Sequence, residues 1–422
     1  QAEDGIRDVE RSRGLGDVYK RQPPVRLGKR VHAHLVDGGA MKCKGCGKEV
    51  SFLSGRLGYC ADCIRKGNEQ ALERAENLHS QGRLPFQLPT QIPRDPQGVE
   101  CNFCGNACRI PQGKKGFCGT KANQDGKLVH LVGDKDRGKL HWYHDPLPTN
   151  CVADPVCPAS TGRGYPRYTR IDGPEYGYYN LAVFYGGCDL DCLFCQNIEH
   201  KYLITGFKAG GYRENRYSID DLYKEALNER ATCICFFGGD PTPHILYSIK
   251  LSSKILRYSR ENGVIKRICW ETNGLVNPVF MRRMAELSRD SGGIVKIDWK
   301  AWTPSIYQAL TGVDGYKALN RLKENSRLVY RVGYERGDPP ILVVSILIVP
   351  HYIDYHEVYG IASYLASISP DIPIVLLAFY PHHLMDDIPT TSWSQMNEAI
   401  SAVRDAGIRE YYIGNKWLLR PV

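Results

Sequence analysis

The stretch "CDLDCLFCQN", residues 188–197, sets Cys188, Cys192 and Cys195 within ten residues, with the aromatic Phe194 directly before the last. Two thiols can close a disulfide; three cannot pair. Spacings of three and then two residues let a short loop wrap one face of an iron–sulfur cubane, so that three irons take thiolates and the fourth keeps an open position. A purely structural cluster takes four protein ligands, so three point to chemistry at the open iron.

Two further cysteine sets precede this one. "CKGCGKEVSFLSGRLGYCADC" places Cys43, Cys46, Cys60 and Cys63 as a C-x2-C pair repeated after 13 residues. Glycines beside the cysteines let backbone amides turn toward sulfur, and the four thiolates close a tetrahedron about zinc. This reads as a zinc-ribbon-like module with a structural role, because a closed four-thiolate site leaves no position for substrate. In "CNFCGNACRIPQGKKGFCG", Cys101, Cys104, Cys108 and Cys118 have spacings of two, three and nine. They fit another four-thiolate site, for zinc or an auxiliary iron–sulfur cluster, with zinc preferred because "CNFCG" is knuckle-like. Cys151 and Cys157 could supplement it, although isolated cysteines are more often plain buried thiols.

The elements that must position these residues begin near residue 180. "NLAVFYG", "TCICFFG", "KRICWE", "GIVKIDW", "ILVVSILIVP" and "IPIVLLAFYP" are short β-branched apolar runs, each followed by a segment of helical period. Six such alternations predict an α/β fold, a parallel sheet with helices outside. In barrel-like α/β folds the chemistry sits where strands run into loops, and the unusual residues fall there. After the second run, "FFGGDPTPH" offers Gly238 and Gly239, whose backbone can approach a ligand, and Asp240, an acid suited to an ammonium. The third run ends in Glu271 and Asn273, acceptors for ribose hydroxyls or an adenine edge; the fourth ends in Asp298 and Lys300, the lysine able to pair with a carboxylate and the aspartate with the lysine. Taken singly, each reads as an ordinary loop polar group; their shared position at successive strand ends makes a pocket. After the sixth run, Tyr380, His382, His383, Asp386 and Asp387 offer a substrate-contacting rim or a solvated loop.

At this point the sequence resembles the radical S-adenosylmethionine (SAM) superfamily, whose signature is C-x3-C-x2-C with an aromatic before the third cysteine. "FFGGDPTPH" is similar to its glycine-rich SAM-binding motif, with Asp240 where Glu is commoner. Together with "CNFCGNACRIPQGKKGFCG", "LLAFYPHHLMDDIPTTS" and "YYIGN", residues from about 101 to 415 resemble the pyruvate formate-lyase-activating-enzyme-like branch. The resemblance implies a partial (β/α)6 TIM-type barrel, one 4Fe–4S cluster on Cys188, Cys192 and Cys195, and SAM held near Phe194, Gly238, Gly239, Asp240, Glu271, Asn273, Asp298 and Lys300. It implies reductive cleavage of SAM by an electron from an external donor of ferredoxin or flavodoxin type. The resulting 5′-deoxyadenosyl radical abstracts hydrogen from a substrate, either a protein such as a glycyl radical enzyme or a small molecule. The zinc-ribbon-like module and the "PTNCVADPVCP" insert are not part of that pattern.

The expected division is residues 41–66 as the zinc-ribbon-like module, 67–98 as a helix and proline-rich linker, 99–178 as the second cysteine-rich module and connector, and 179–415 as the core. Residues 1–40 read as an upstream translation artefact and disordered: "DVYKRQ" matches a translated sequencing-library adapter, and Met41 is the expected start. The net charge of +9 includes eight Lys or Arg and six Asp or Glu in residues 1–40, and bound thiolates would reduce the remainder to about +2. Nucleic acid is therefore an unlikely partner, and a non-catalytic zinc and iron–sulfur protein contacting nucleic acid or a protein is the alternative function. No apolar run is long enough to span a bilayer. Sixteen cysteines, most in ligand-like spacings, predict a reducing, cytoplasmic setting.

Overall fold

The computed structural model describes residues 41–149, 151–205 and 216–421, so the reading of residues 1–40 lies outside the described residues. A hairpin of Met41–Lys42 (β1) and Glu49–Val50 (β2) leads through Ala61–Arg65 (α1) to Glu69–Arg83 (α2). Two more hairpins follow: Val99–Cys101 (β3) with Cys108–Ile110 (β4), and Lys121–Gln124 (β5) with Lys127–His130 (β6). Then come Arg137–Pro146 (β7), Pro158–Thr161 (α3), Tyr179–Tyr185 (β8), Glu199–Thr205 (α4), Arg216–Ser218 (β9) and Ile219–Ala226 (α5). Strand and helix alternate from there: Ala231–Gly238 (β10), Ile245–Asn262 (α6), Arg267–Thr272 (β11), Pro278–Ser291 (α7) and Val295–Asp298 (β12). Pro304–Thr311 (α8), Gly315–Gly333 (α9), Leu342–Ile348 (β13), Tyr355–Ile368 (α10), Ile374–Ala378 (β14), Trp393–Asp405 (α11) and Tyr411–Ile413 (β15) complete the order.

The six apolar runs all form strands, but they belong to a larger sheet than the runs predict. Nine strands lie in the order β15-β14-β13-β12-β11-β10-β8-β7-β9, with β15 and β9 at its two edges. Strands β8 and β10 to β15 are parallel, while β7 runs antiparallel to β8 and β9 antiparallel to β7. The long connections that parallel pairing requires are supplied by the helices. Their ends are set by local chemistry: Asn277 accepts from Val279 N to cap α7, and Gly292, with φ +78°, closes it in the left-handed conformation.

Alternation along the strands separates two faces. Phe236 and Trp270 point toward the helices, their tilted rings 4.7 Å apart, with Trp270 Nε1 donating to the Met284 carbonyl of α7. The opposite face carries Cys233, Cys235, Cys269, Glu271, Lys296 and Asp298, aligned by the registers Cys235↔Cys269 and Glu271↔Lys296. Residues 147–149 and 151–178 cover part of this face. Leu147, Ala153, Val156 and Cys157 pack on Ile294, Val343 and Val375, and Glu175 meets Arg267 through two hydrogen bonds of 2.9 and 2.6 Å in a fully buried ion pair. Cys151 and Cys157 are thereby drawn onto the sheet and away from the second cysteine set, because apolar residues of the insert cover apolar residues at the strand starts.

The leading modules dock on loops of the core. Tyr352 OH accepts from Ser54 N at 3.2 Å, and Arg65 of α1 bonds Asp354 and Glu357 at the start of α10. Helix α2, which the sequence reads as a polar linker helix, buries Ala71, Ala75, Leu78, His79 and Arg83.

Candidate functional site

The loop carrying Cys188, Cys192 and Cys195 leaves β8 through Gly186 and Gly187, the latter at φ +86°. Backbone bonds clamp it to α8: Asp191 N donates to Thr311 O at 2.9 Å, and Leu193 N to Leu310 O at 3.0 Å. On its other side Leu384 N donates to Leu193 O, and His382 Nδ1 lies 2.6 Å from Cys195 O. All three thiols are half-buried, and Leu190 N points at Cys188 Sγ from 3.4 Å, a donor suited to a thiolate. Donor set, exposure and backbone support fit a cluster with one open iron.

Asp191, between the first two cysteines, pins the loop. Its carboxylate meets Lys201 at 2.6 Å, Arg83 at 3.2 Å and His79 at 3.0 Å, all four side chains being almost fully buried. Burial pushes its carboxyl up, but Lys201 and Arg83 overcome that and hold it well below the ordinary range. The sequence contains no signal for this cluster of charges beyond an acid inside a cysteine loop.

The residues expected around SAM divide into supports and pocket-facing groups. A Cβ on Gly238 would lie 2.6 Å from Tyr185 N, and one on Gly239 2.1 Å from Gly187 O, so both glycines let the end of β10 press against the end of β8. Asp240 is buried and already engaged. One oxygen accepts from Thr242 N at 2.8 Å, the other from Asn273 N at 2.7 Å and Thr272 Oγ1 at 3.0 Å, tying the β10 loop to the β11 loop. Asn273 is also buried; its amide donates to Asp189 Oδ1 at 2.6 Å and points at Cys188 Sγ from 3.8 Å. Both therefore shape the cysteine loop. Phe194 is buried edge-on against Phe379, with Lys300 Nζ 5.7 Å from its ring centre. Lys300 pairs with Asp298; burial opposes its charge, but Asp298 and the Cys192 thiol raise its pKa.

A group that sequence reasoning missed lies on the same face of the sheet. Lys296 Nζ, nearly inaccessible, sits 2.9 Å from Glu271 Oε1 and 3.1 Å from the sulfurs of both Cys151 and Cys235. Burial disfavours its charge, yet Cys151, Cys235 and Glu271 hold its pKa well above the ordinary value. Glu271 thus arrives paired with Lys296. The pairing is invisible in sequence because the partners come from adjacent strands and from the insert.

In the first cysteine module, Cys43 and Cys63 Sγ lie 3.6 Å apart and Cys46 and Cys60 Sγ 3.8 Å apart, with all four sulfurs within 4.8 Å of one another. That spacing fits one tetrahedral ion, and the amides of Gly45 and Cys60 donate to Cys43 Sγ as thiolate partners. The loop after β14 is divided between two neighbours: His382 and Leu384 meet the cysteine loop, whereas Asp386 pairs with Arg56 at 2.6 Å and Asp387 accepts from Ser54 Oγ and Arg56 N at 3.1 Å, which turns these two acids toward the first module.

Residues 182–365 match the family model described as the Radical SAM superfamily. An uncharacterized protein of Methanocaldococcus jannaschii is 24% identical over 328 residues, covering 76% of this chain and 82% of that protein. Among solved structures, a domain of a pyruvate-formate lyase-activating enzyme from Bacteroides vulgatus is 21% identical, covers 43% of this chain and 98% of its own, and gives a TM-score of 0.33. SuiB of Streptococcus suis, bound to S-adenosylmethionine, is 14% identical over 54% of this chain and 48% of its own, at a TM-score of 0.37. The segment that matches the radical SAM superfamily model, residues 182–365, contains the three cysteines, the glycine pair of β10 and the strand ends of β11 and β12.

Proposed function

We propose that the chain is a radical SAM enzyme that uses a 4Fe–4S cluster on Cys188, Cys192 and Cys195 to cleave SAM. The observation that carries the reading is that loop itself: three thiols immediately after β8, inside the matched segment, with the β10 glycine pair packed against the turn that precedes them. Bound there, the cluster and SAM supply reductive cleavage to methionine and a 5′-deoxyadenosyl radical able to take hydrogen from substrate. The protein's part is to position and to shield. Asp191, with Lys201, Arg83 and His79 around it, fixes the cysteine loop, while Asp240 and Asn273 hold the neighbouring strand ends against it. Lys300, beside Asp298 at the mouth, is the group placed to meet a carboxylate. The insert covers part of the sheet's inner face, which favours substrate entry from the loop end.

The proposal extends to the pyruvate formate-lyase-activating-enzyme-like branch, with hydrogen taken from a protein glycine or a small molecule and the electron supplied by a ferredoxin- or flavodoxin-type donor. Zinc on Cys43, Cys46, Cys60 and Cys63 is structural in this reading, since the module is docked on α10 and the loop after β14. No helix among the described residues is long and apolar enough to cross a membrane.

The test is anaerobic. The protein is reconstituted with iron and sulfide, reduced with dithionite and given SAM, beside a variant carrying Cys188→Ala, Cys192→Ala and Cys195→Ala. The reading requires 5′-deoxyadenosine from the parent and none from the variant; a parent that assembles the cluster and binds SAM without cleaving it, candidate substrates included, would sink it.

A further inference from the structure

The sequence leaves Cys101, Cys104, Cys108 and Cys118 open between a single zinc ion and an iron–sulfur cluster. The structure brings all four to one cavity, together with Phe117, Lys121 and Asp189. The β3–β4 hairpin sets Cys101 opposite Cys108, Cys104 lies in its turn and bridges to Val276, and Cys118 comes from the turn after β4.

Sulfur spacing separates the two alternatives. Four thiolates at about 2.3 Å from one zinc lie about 3.8 Å from each other, which is the spacing at Cys43, Cys46, Cys60 and Cys63. Among the described residues that is the one group whose ligand atoms converge within 4.8 Å. Cys101, Cys104, Cys108 and Cys118 share a cavity without converging so closely, and the three thiols of the Cys188 loop likewise do not converge within that distance. In a cubane each thiolate takes a different iron, so its ligands stand farther apart than those of a single ion.

A second observation concerns charge. Lys121, only 1% exposed, lines the same cavity. Its ammonium donates to Thr120 Oγ1 and the Pro243 carbonyl and lies over the Phe103 ring, and among the described residues no carboxylate stands within ion-pair distance of it. A buried ammonium needs an anion nearby, and four thiolates carry a net charge of about −2 around either a zinc ion or a doubly positive cluster; the charge therefore calls for a filled thiolate site, and the sulfur spacing decides which filling.

We propose that Cys101, Cys104, Cys108 and Cys118 hold a second 4Fe–4S cluster, ligated by thiolate at every iron. It is seated against the loop of the first: Asp189, which lines the cavity, follows Cys188 directly, and Asn106 Nδ2 donates to Asp189 O at 2.7 Å. The inference stands on its own geometry and does not require SAM cleavage at Cys188.

Metal content decides it. The variant lacking Cys188, Cys192 and Cys195 keeps this quartet intact; after anaerobic reconstitution it should hold about four iron, four sulfide and one zinc per chain. Its reduced paramagnetic signal should not respond to SAM, because no iron is open. The parent should hold about eight iron. A variant with two zinc and no iron overturns the proposal, and if that variant fails to fold, a parent with about four iron and two zinc overturns it equally. Failure of the parent to make 5′-deoxyadenosine would leave these counts unchanged, so the two readings fail separately.

Discussion

At the scale of single residues, the loop of Cys188, Cys192 and Cys195 is held by charges that come from other elements of the chain. The spacing of Cys188, Cys192 and Cys195 is what carries the expectation of a cluster. Asp191 sits among them, but its partners Arg83 and Lys201 arrive from α2 and α4, and nothing local identifies them. The expectation that Asp240 and Asn273 face SAM came from their place at strand ends; the structure shows that strand ends also need tying together, and both residues do that. Removing the charge of one partner in a buried ionic cluster strands the others and costs about 3–5 kcal/mol. Asp191→Asn should therefore lower the midpoint of thermal unfolding and reduce iron retained after reconstitution, while Asp62→Asn, at an exposed ion pair, should leave both almost unchanged. Equal iron retention in the two variants would show that Asp191 does not position the cysteine loop.

At the scale of elements, the six strands with continuous apolar runs were legible and the remaining three were not, for physical reasons. β7, "RGKLHWYHDP", alternates apolar and charged residues at the antiparallel end of the sheet, and β9 and β15 are three residues each, too short to show a period. The glycines of the β10 loop were read as making room for a ligand; their first requirement is contact between backbones. Gly239→Ala places a carbon 2.1 Å from Gly187 O, where no flexible side chain can yield. It should displace the end of β10 and abolish SAM-dependent changes in the cluster's spectrum. Gly47→Ala, with φ +69° and nothing within 4 Å, should cost only the backbone strain of about 1–2 kcal/mol and leave that spectrum intact.

At the scale of the whole molecule, the insert is part of the fold's closure, fastened by Glu175 and Arg267. Burial raises the Glu175 carboxyl, but Arg267 and Thr232 overcome it and bring it down to about 2. A depressed carboxyl stabilises the folded state above its unfolded value near 4.3, and that contribution fades as pH falls from there through about 2. Glu175→Gln should thus lose about 3 kcal/mol in denaturant unfolding near neutrality. The gap to the parent should stay flat from pH 8 to about 5 and narrow only at lower pH; a gap that grew on acidification would contradict the pairing.

The docking of the first cysteine module has a consequence for the order of events during synthesis. Its contacts with Tyr352, Glu357 and Asp387 join residues separated by 298, 292 and 331 positions. At about 5–20 residues per second, the module leaves the ribosome on the order of 15–60 s before its berth exists. Through that interval it has only its own hairpin, one turn of helix and four thiols to keep its shape. An ion taken in that interval binds a free, newly made module, and docking would then fix an occupied site in place.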